Sequence, residues 1–307
     1  MPRKTLIRGD GVAACWCARL LSASGLAVSV SRTARPKVPV VLVSNITQAL
    51  LSDVFKDGEL LRGLAPIRKR IVLWGTQGKP VVIPHLATVV PEGVLLERLW
   101  STVPALRDRA NETADWNVIT APPFPDTSVR HFGSRIARTT VVDLKSGAEG
   151  EACWIESLAG GWLFLLGLGN QRGSLIAVGE TTESLLAQSR LVVEQVSGLG
   201  ASACEFPAYP RILEEVCGKG WLACGTGAMA FDPLCGDGTG TALREAILAS
   251  AAIQGISRGL NPSDVRAHYS LRLRAGFLRH LEQCVTFYRE ARSGPPTSGQ
   301  FHILQFD

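Results

Sequence analysis

An α/β fold with a second, β-rich sheet is what this sequence of 307 residues predicts, and three observations carry that expectation. The chain opens on a short β-prone run that enters a glycine-rich turn and then a helix. A second glycine-rich turn, far along the chain, ends in a long alanine-rich helix. Between them lie consecutive apolar runs of strand length. Hydrophobic residues make up 46% of the chain and charged residues 19%, which excludes a disordered or fibrous protein. A chain this long buries roughly 75% of its unfolded surface, enough for a sizeable core. Lys+Arg 32 against Asp+Glu 27 leaves a net charge of +5. The basic residues are mostly Arg and scattered, with no run of five and no interleaved aromatics. That reads as a solvated basic surface with a mild preference for anionic ligands, not as a nucleic-acid interface.

The first element is Thr5-Leu6-Ile7, a strand, followed at once by Gly9-Asp10-Gly11-Val12-Ala13-Ala14. Cys15 to Ala23 reads as a helix with Leu20 and Leu21 on its inner face; Gly25 stops it, and Leu26 to Val30 is the next strand. This is β-turn-α-β with G-x-G-x-x-A at its first turn, the arrangement that binds dinucleotides. Gly9 permits the tight turn, Gly11 lets backbone approach a pyrophosphate, and Ala14 is small enough for helix to pack on strand. The helix N-terminus turns N–H groups and a positive dipole toward phosphates. Two residues depart from the usual pattern. Arg32 stands at the end of the second strand, where an acidic residue would hold the adenosine ribose, so it either lies over the adenine or meets a phosphate. Asp10 puts a carboxylate beside the expected pyrophosphate. On this motif alone, a glycine-rich turn without a nucleotide remains the alternative.

Pro39 to Val43 and Asn45 to Val54 read as a strand or loop and then a helix, with Ser44 and Asn45 either polar contacts or solvated loop residues. Arg70 to Trp74 and Lys79 to Ile83 read as a hairpin turning at Gly75 and Gly78. Gly93 to Leu99 is a helix. Val118 to Ala121 is a strand that runs into Pro122-Pro123-Phe124-Pro125, and Arg135 and Arg138 precede the β-prone run Thr139 to Leu144. Three further strands follow at 151–156, 161–166 and 174–179. Trp162 and Phe164, alternating with leucines, share one sheet face and either wall a substrate cavity or pack the core.

The second glycine cluster is Trp221-Leu222-Ala223-Cys224-Gly225-Thr226-Gly227-Ala228, then Phe231-Asp232-Pro233-Leu234-Cys235-Gly236-Asp237-Gly238-Thr239-Gly240, then a helix from Thr241 to Ile256. Pro233 rigidifies the loop, Gly236 and Gly238 allow close backbone approach to a flat or anionic ligand, and the helix again presents its N-terminus. This stretch resembles the flavin-binding signature of FAD-dependent monooxygenases of the aromatic-hydroxylase type. Its Phe-Asp-Pro-Leu form is similar to the branch of tryptophan halogenases and of the monooxygenases that mature peptide-derived quinone cofactors. Gly225, Asp232, Pro233, Gly236 and Gly238 match that signature; Thr226 stands where an Asp would bind the ribityl chain, and its hydroxyl can bond a ribityl hydroxyl without carrying charge. The strands named above and a closing amphipathic helix, Tyr269 to Arg292, extend the resemblance over most of the chain.

The resemblance implies a Rossmann-like, three-layer FAD/NAD(P)-binding domain with a β-sheet substrate domain. The expected division is 1–75, 115–145 and 205–260 for the FAD-binding layers, 76–114 and 146–204 for the substrate domain, and 261–307 for a C-terminal helix and tail. Within the tail, Gly294 to Gly299 is a flexible stretch and Phe301 to Phe306 a last strand. The cofactor implied is FAD, held by Gly9, Gly11, Val12, Ala13, Ala14, Arg32, Gly225, Thr226, Asp232, Pro233, Gly236 and Gly238. The implied chemistry is oxygen transfer from a flavin C4a-hydroperoxide to an aromatic or peptide-borne aromatic substrate, with electrons from a separate flavin reductase. Such enzymes need no dedicated acid or base, and the sequence names no catalytic residue. The alternative is a catalytically degenerate binding or maturation partner, supported by the residues at 32 and 226 and a short substrate domain. A halogenase is the weaker reading: of the Trp-x-Trp-x-Ile-Pro motif only Trp162 stands, and Lys79 reads as an exposed turn lysine.

The eight Cys fit no zinc spacing, no metal is expected, and a reducing, cytoplasmic setting follows from their apolar surroundings. No apolar stretch reaches the ~20 residues of a membrane helix. Arg8, Asp10 and Arg19 interrupt the run that would imitate a secretion signal. The dispersed His residues read as structural, with His85 placed to face a substrate cavity and His280 on the last helix.

Overall fold

The computed structural model describes residues 4–33, 38–56, 60–75, 78–104, 107–108 and 113–291. In chain order its elements are β1 (Lys4–Arg8), α1 (Val12–Ala23), β2 (Ala27–Ser31), β3 (Val40–Ser44), α2 (Asn45–Phe55), β4 (Ala65–Leu73), β5 (Val81–Pro91) and α3 (Glu92–Ser101). Then come β6 (Arg107–Asp108), β7 (Trp116–Ile119), β8 (Val129–His131), β9 (Ile136–Leu144), β10 (Ala152–Leu158), β11 (Gly161–Gly169), β12 (Arg172–Gly179), α4 (Thr182–Gln188) and β13 (Val196–Pro207). The chain continues through β14 (Arg211–Leu213), β15 (Cys217–Gly218), β16 (Trp221–Ala223), β17 (Met229–Ala230), α5 (Gly238–Ser257) and α6 (Pro262–Ala291), with 3₁₀ turns at Gly225–Gly227 and Pro233–Cys235.

Three sheets organise these elements. The first has the order β15-β16-β7-β1-β2-β6 and is parallel except at its β15 edge. Thr5, Leu6 and Ile7 of β1 are all buried, as expected of a strand covered on both faces. The second sheet, β13-β9-β12-β11-β10-β4-β5-β3, is antiparallel apart from the β10–β4 pair. The third is a small antiparallel sheet, β17-β14-β8, whose Ile212, Leu213 and Met229 join the core of the first.

Helix α1 is buried from Val12 to Ala18 on every face because α5, α3 and the first sheet surround it. Its alanines and those of α5 let the two helices approach closely. Cys17 Sγ lies 3.7 Å from the Ala246 carbonyl, and Gln254 Nε2 donates to the Leu20 carbonyl at 3.4 Å. Contacts that advance together along both chains mean that α1 and α5 run in the same direction. Helix α6 ties the layers together: Tyr269, Leu273, Phe277 and Leu281 enter the first core, and Cys284 and Tyr288 the core of the second sheet.

The expected segments are present, with shifted ends. The opening helix starts at Val12, not Cys15, and the closing helix at Pro262. The expected hairpin is the antiparallel β4–β5 pair, extended away from the turn to Ala65 and Pro91 and slightly shorter toward it. The sheets do not follow the expected division of the chain. β3, β4 and β9, placed by sequence with the FAD-binding layers, are strands of the second sheet; α3 and β6, placed with the substrate domain, pack on α1 and pair with β2. A short apolar run announces a strand but not its sheet, and the pairing of β3 with β5 is set by residues over 40 positions away. The segments at 294–299 and 301–306 lie outside the described residues. Helix α4 and the irregular edge strand β13 carry no strong pattern in sequence; β13 contains Gly198 and Gly200 and slips register three times against β9. Its neighbouring loop is held by buried Glu156, which accepts hydrogen bonds from Ser189 Oγ and from the Arg190, Leu191 and Val192 N–H groups.

Candidate cofactor site

Strands β1, β7 and β16 are parallel, so their C-terminal ends lie on one edge, where α/β sheets bind ligands. Three loops meet there. Gly9 has φ +125, and its N–H donates to the Ser31 carbonyl at 2.9 Å. A Cβ on Gly9 would stand 2.2 Å from Thr120 Oγ1. Thr120 in turn donates through Oγ1 to the Arg8 carbonyl at 2.9 Å, and its own carbonyl accepts from Gly227 N–H at 2.9 Å and Thr226 Oγ1 at 3.1 Å. Gly225 has φ +57, and a Cβ there would come within 2.8 Å of Ala13 Cβ. The two glycine-rich turns therefore abut, the second resting on the first helix of the chain and both bonded to the loop after β7. The sequence places Thr120 in the strand Val118 to Ala121; in the structure it is the first residue after β7.

Both helices that leave these turns have N-termini not capped by their own side chains. Gly11 is the N-cap of α1, and the first turn, Val12-Ala13-Ala14, carries no acidic residue. Asp237 is the N-cap of α5 but makes no capping bond; its carboxylate accepts from Thr47 Oγ1 at 3.2 Å and Arg244 Nη2 at 2.6 Å. A Cβ on Gly238 would meet nothing within 4 Å. Side by side, two such N-termini make a place for anionic phosphate, and open space at Gly238 admits a ligand against the backbone. These residues fit a dinucleotide. The adenosine side is furnished differently. Arg32 lies over the Trp100 ring, 4.7 Å from its centroid, and Trp100 Nε1 donates to the Asp10 carbonyl at 3.0 Å. Trp100 thus takes up both residues that depart from the sequence pattern, the one through its ring and the other through its backbone.

The second loop is anchored from within. Asp232 is 3% exposed. Its carboxylate accepts from Tyr288 OH at 2.6 Å and Leu234 N–H at 2.9 Å, and its own N–H donates to His280 Nε2 at 2.9 Å. Trp162 Nε1 completes the chain by donating to Tyr288 OH at 3.1 Å. Burial and the adjoining carboxylate push the Tyr288 phenol well above its ordinary range. Asp232 therefore points into the core, and what the loop offers a ligand is backbone around Pro233, Gly236 (φ +61) and Gly238. Asp232→Asn keeps the shape but weakens a charge-assisted pair. We expect a loss of about 1–2 kcal/mol in urea unfolding; an unchanged midpoint would contradict the anchoring role.

Glu245 has no counterpart among the residues that the sequence singles out. It is buried in α5 and accepts from Gly225 N–H at 2.6 Å. Burial raises its carboxyl to about 8, against the partial opposition of that N–H and of Arg244. Beneath the turn, Cys17 and Cys224 are also buried, their sulfurs 3.9 Å apart. Trp162 and Phe164 prove to be core: with Cys153 and Ile155 they pack against Cys284 and Tyr288 of α6. Lys79 is exposed between β4 and β5. Ser44 caps α2 by accepting from Thr47 N–H, and Asn45 accepts from Ile46 N–H. His85 is half-buried on β5, its Nε2 3.3 Å from Arg70 Nη2.

No protein-family model matches the chain, and no curated relative does. Solved structures do. The chain is similar to peptidyl tryptophan dihydroxylase QhpG, essential for tryptophylquinone cofactor biogenesis, with TM-score 0.75 and 20% identity over 100% of this chain and 80% of that one. It is similar to CmlS, a flavin-dependent halogenase, with TM-score 0.79 and 17% identity over 98% of this chain and 69% of that one. It is similar to a point variant of HpxO from Klebsiella pneumoniae, solved with FAD, with TM-score 0.67 and 13% identity over 94% of this chain and 91% of that one. At these identities the likeness is one of architecture, and it agrees with the resemblance read from the glycine-rich turns: the chain has the FAD-binding aromatic-hydroxylase and halogenase fold.

Proposed function

We propose that the chain is an FAD-dependent oxidoreductase, a monooxygenase acting on an aromatic or peptide-borne aromatic substrate. The observation that carries this reading is the junction of the two glycine-rich turns through Thr120 and Ala13, beside the uncapped N-termini of α1 and α5. When bound, FAD supplies electron transfer and oxygen activation. The chain's own part is to orient and enclose. Gly11 to Ala14 and the start of α5 meet the phosphates; Gly225, Thr226, Pro233, Gly236 and Gly238 line the remainder of the cofactor. The network Trp162–Tyr288–Asp232–His280 keeps that second loop fixed. QhpG, named for its action on peptidyl tryptophan, spans the whole of this chain and supports a peptide-borne substrate. Electrons come from a separate flavin reductase, in the cytoplasm. No described helix is long and apolar enough to cross a membrane.

The second reading is a maturation or binding partner that keeps the fold without turnover. It is favoured by one feature, the Arg32–Trp100 stack on the adenosine side. The test supplies purified protein with FAD, NADH, a flavin reductase and isotope-labelled dioxygen, and offers indoles, phenols and tryptophan-containing peptides. A product bearing one labelled oxygen is expected. FAD retention without any labelled product would favour the second reading.

A further inference from the structure

Arg70 is a cation that no carboxylate of the described residues meets. It lies on β4 in register with Cys153 of β10, so its side chain shares the sheet face of Cys153, Ile155, Trp162 and Phe164. Its Nε is buried and has no hydrogen-bond partner. Its neighbours are His85 Nε2, 3.3 Å from Nη2, and the fully buried Cys153, which it faces across the β4–β10 pair. Among the described residues Arg70 makes no ion pair. From the other side the Gly236 turn approaches: a Cβ on Gly236 would be 3.6 Å from Arg70 Nη2. A guanidinium donor buried without a partner is costly, so such a group is retained where an incoming anion completes it. Burial, then Arg70, holds His85 below its ordinary range, which keeps its imidazole neutral and able to donate one hydrogen bond.

We propose that Arg70, assisted by His85, anchors a carboxylate group on the substrate beside the Gly236 turn. The planar fork of the guanidinium matches a carboxylate, with two parallel N–H donors, better than a spherical ion. The anion comes from the substrate and not from the cofactor, because Arg70 stands on the second sheet, whereas the cofactor's phosphates belong at the helix N-termini of the first. The proposal rests on the reading of the site as a flavin monooxygenase for the identity of the ligand. Carboxylate binding itself depends only on residues of this chain.

The test is calorimetric titration of benzoate and benzamide into the wild type, Arg70→Met and Arg70→Lys, each with and without FAD, while absorbance records retained FAD separately. Wild type should bind benzoate at least tenfold more tightly than benzamide. Arg70→Met should erase that preference, and Arg70→Lys should weaken benzoate by roughly threefold or more through loss of the fork. FAD content should be the same in all three. Equal affinity for the two probes in wild type, no binding of either up to millimolar concentration, or unaltered preference in the variants would overturn the proposal. So would loss of FAD in Arg70→Met, which would assign the arginine to the cofactor. Should Arg70→Met not fold, the Arg70→Lys comparison decides alone. If FAD never binds but benzoate selectivity follows Arg70, the carboxylate anchor stands and the flavin reading fails.

Discussion

Gly9→Val is expected to lose about 3–5 kcal/mol of stability and to abolish FAD binding. Two costs combine. A φ of +125 is strained for any residue with a side chain, most of all a β-branched one. The new Cβ would also be 2.2 Å from Thr120 Oγ1 and 3.3 Å from Ala121 Cβ. The smaller Gly9→Ala separates these effects. Combined with Thr120→Ala it loses the hydroxyl clash and keeps the backbone strain, so the double variant should be more stable than the sum of the singles implies, by about 1 kcal/mol or more. Urea unfolding of the four proteins measures that coupling. Strict additivity would mean that the first turn is not held against the loop after β7. A glycine fixed by a neighbouring threonine, not by a ligand alone, also explains why the motif can be kept while the customary acidic residue after β2 is not.

Glu245 governs the second expected effect, a dependence of stability on pH. Its carboxyl stands near 4.5 in the ordinary state and is raised to about 8 in the folded protein. Between these values the folded state holds a proton that the unfolded chain has released, so stability falls as pH rises from about 5 to about 8 and levels off above. The loss is on the order of a few kcal/mol. Glu245→Gln keeps a carbonyl oxygen for Gly225 N–H and cannot ionise. It should therefore match the wild type near pH 5 and exceed it near pH 8. Urea midpoints for both proteins at about pH 5, 6.5 and 8 check this, since other titrating groups contribute equally to the two. Parallel profiles would show that the carboxyl ionises freely in place. An ionised Glu245 would also put a negative charge directly under Gly225, so FAD affinity in the wild type should weaken as pH rises through about 8, where the folded protein loses that proton.

Much of this architecture was legible because local physics and global position agree. β1, α1 and β2 follow from Thr5-Leu6-Ile7, the two glycines and Gly25, all within a span where chain connectivity leaves few choices. Three consecutive strands from Ala152 to Gly179 declare themselves by apolar runs with glycine turns. What sequence could not supply is partnership across distance. Asp232 matches a cofactor signature by position, yet its side chain serves Tyr288, 56 residues away. Trp162 and Phe164 alternate as a cavity wall would, but α6 lies on them. Arg32 reads as lying over the adenine or meeting a phosphate, and nothing in the sequence places Trp100 beneath it. Arg70 passes for one more basic strand residue until its buried Nε is seen without a partner. Glu245 sits in an alanine-rich helix with no pattern to mark its burial. In each case the deciding neighbour comes from another layer.

The claim on which all of this depends is that the edge where β1, β7 and β16 end holds FAD. Purified protein incubated with FAD and freed of excess by gel filtration should retain about one flavin per chain, with its absorbance band at about 450 nm, and the Gly9→Val protein should elute colourless. Wild-type protein that is folded, elutes colourless and gives no heat on titration with FAD would contradict the account.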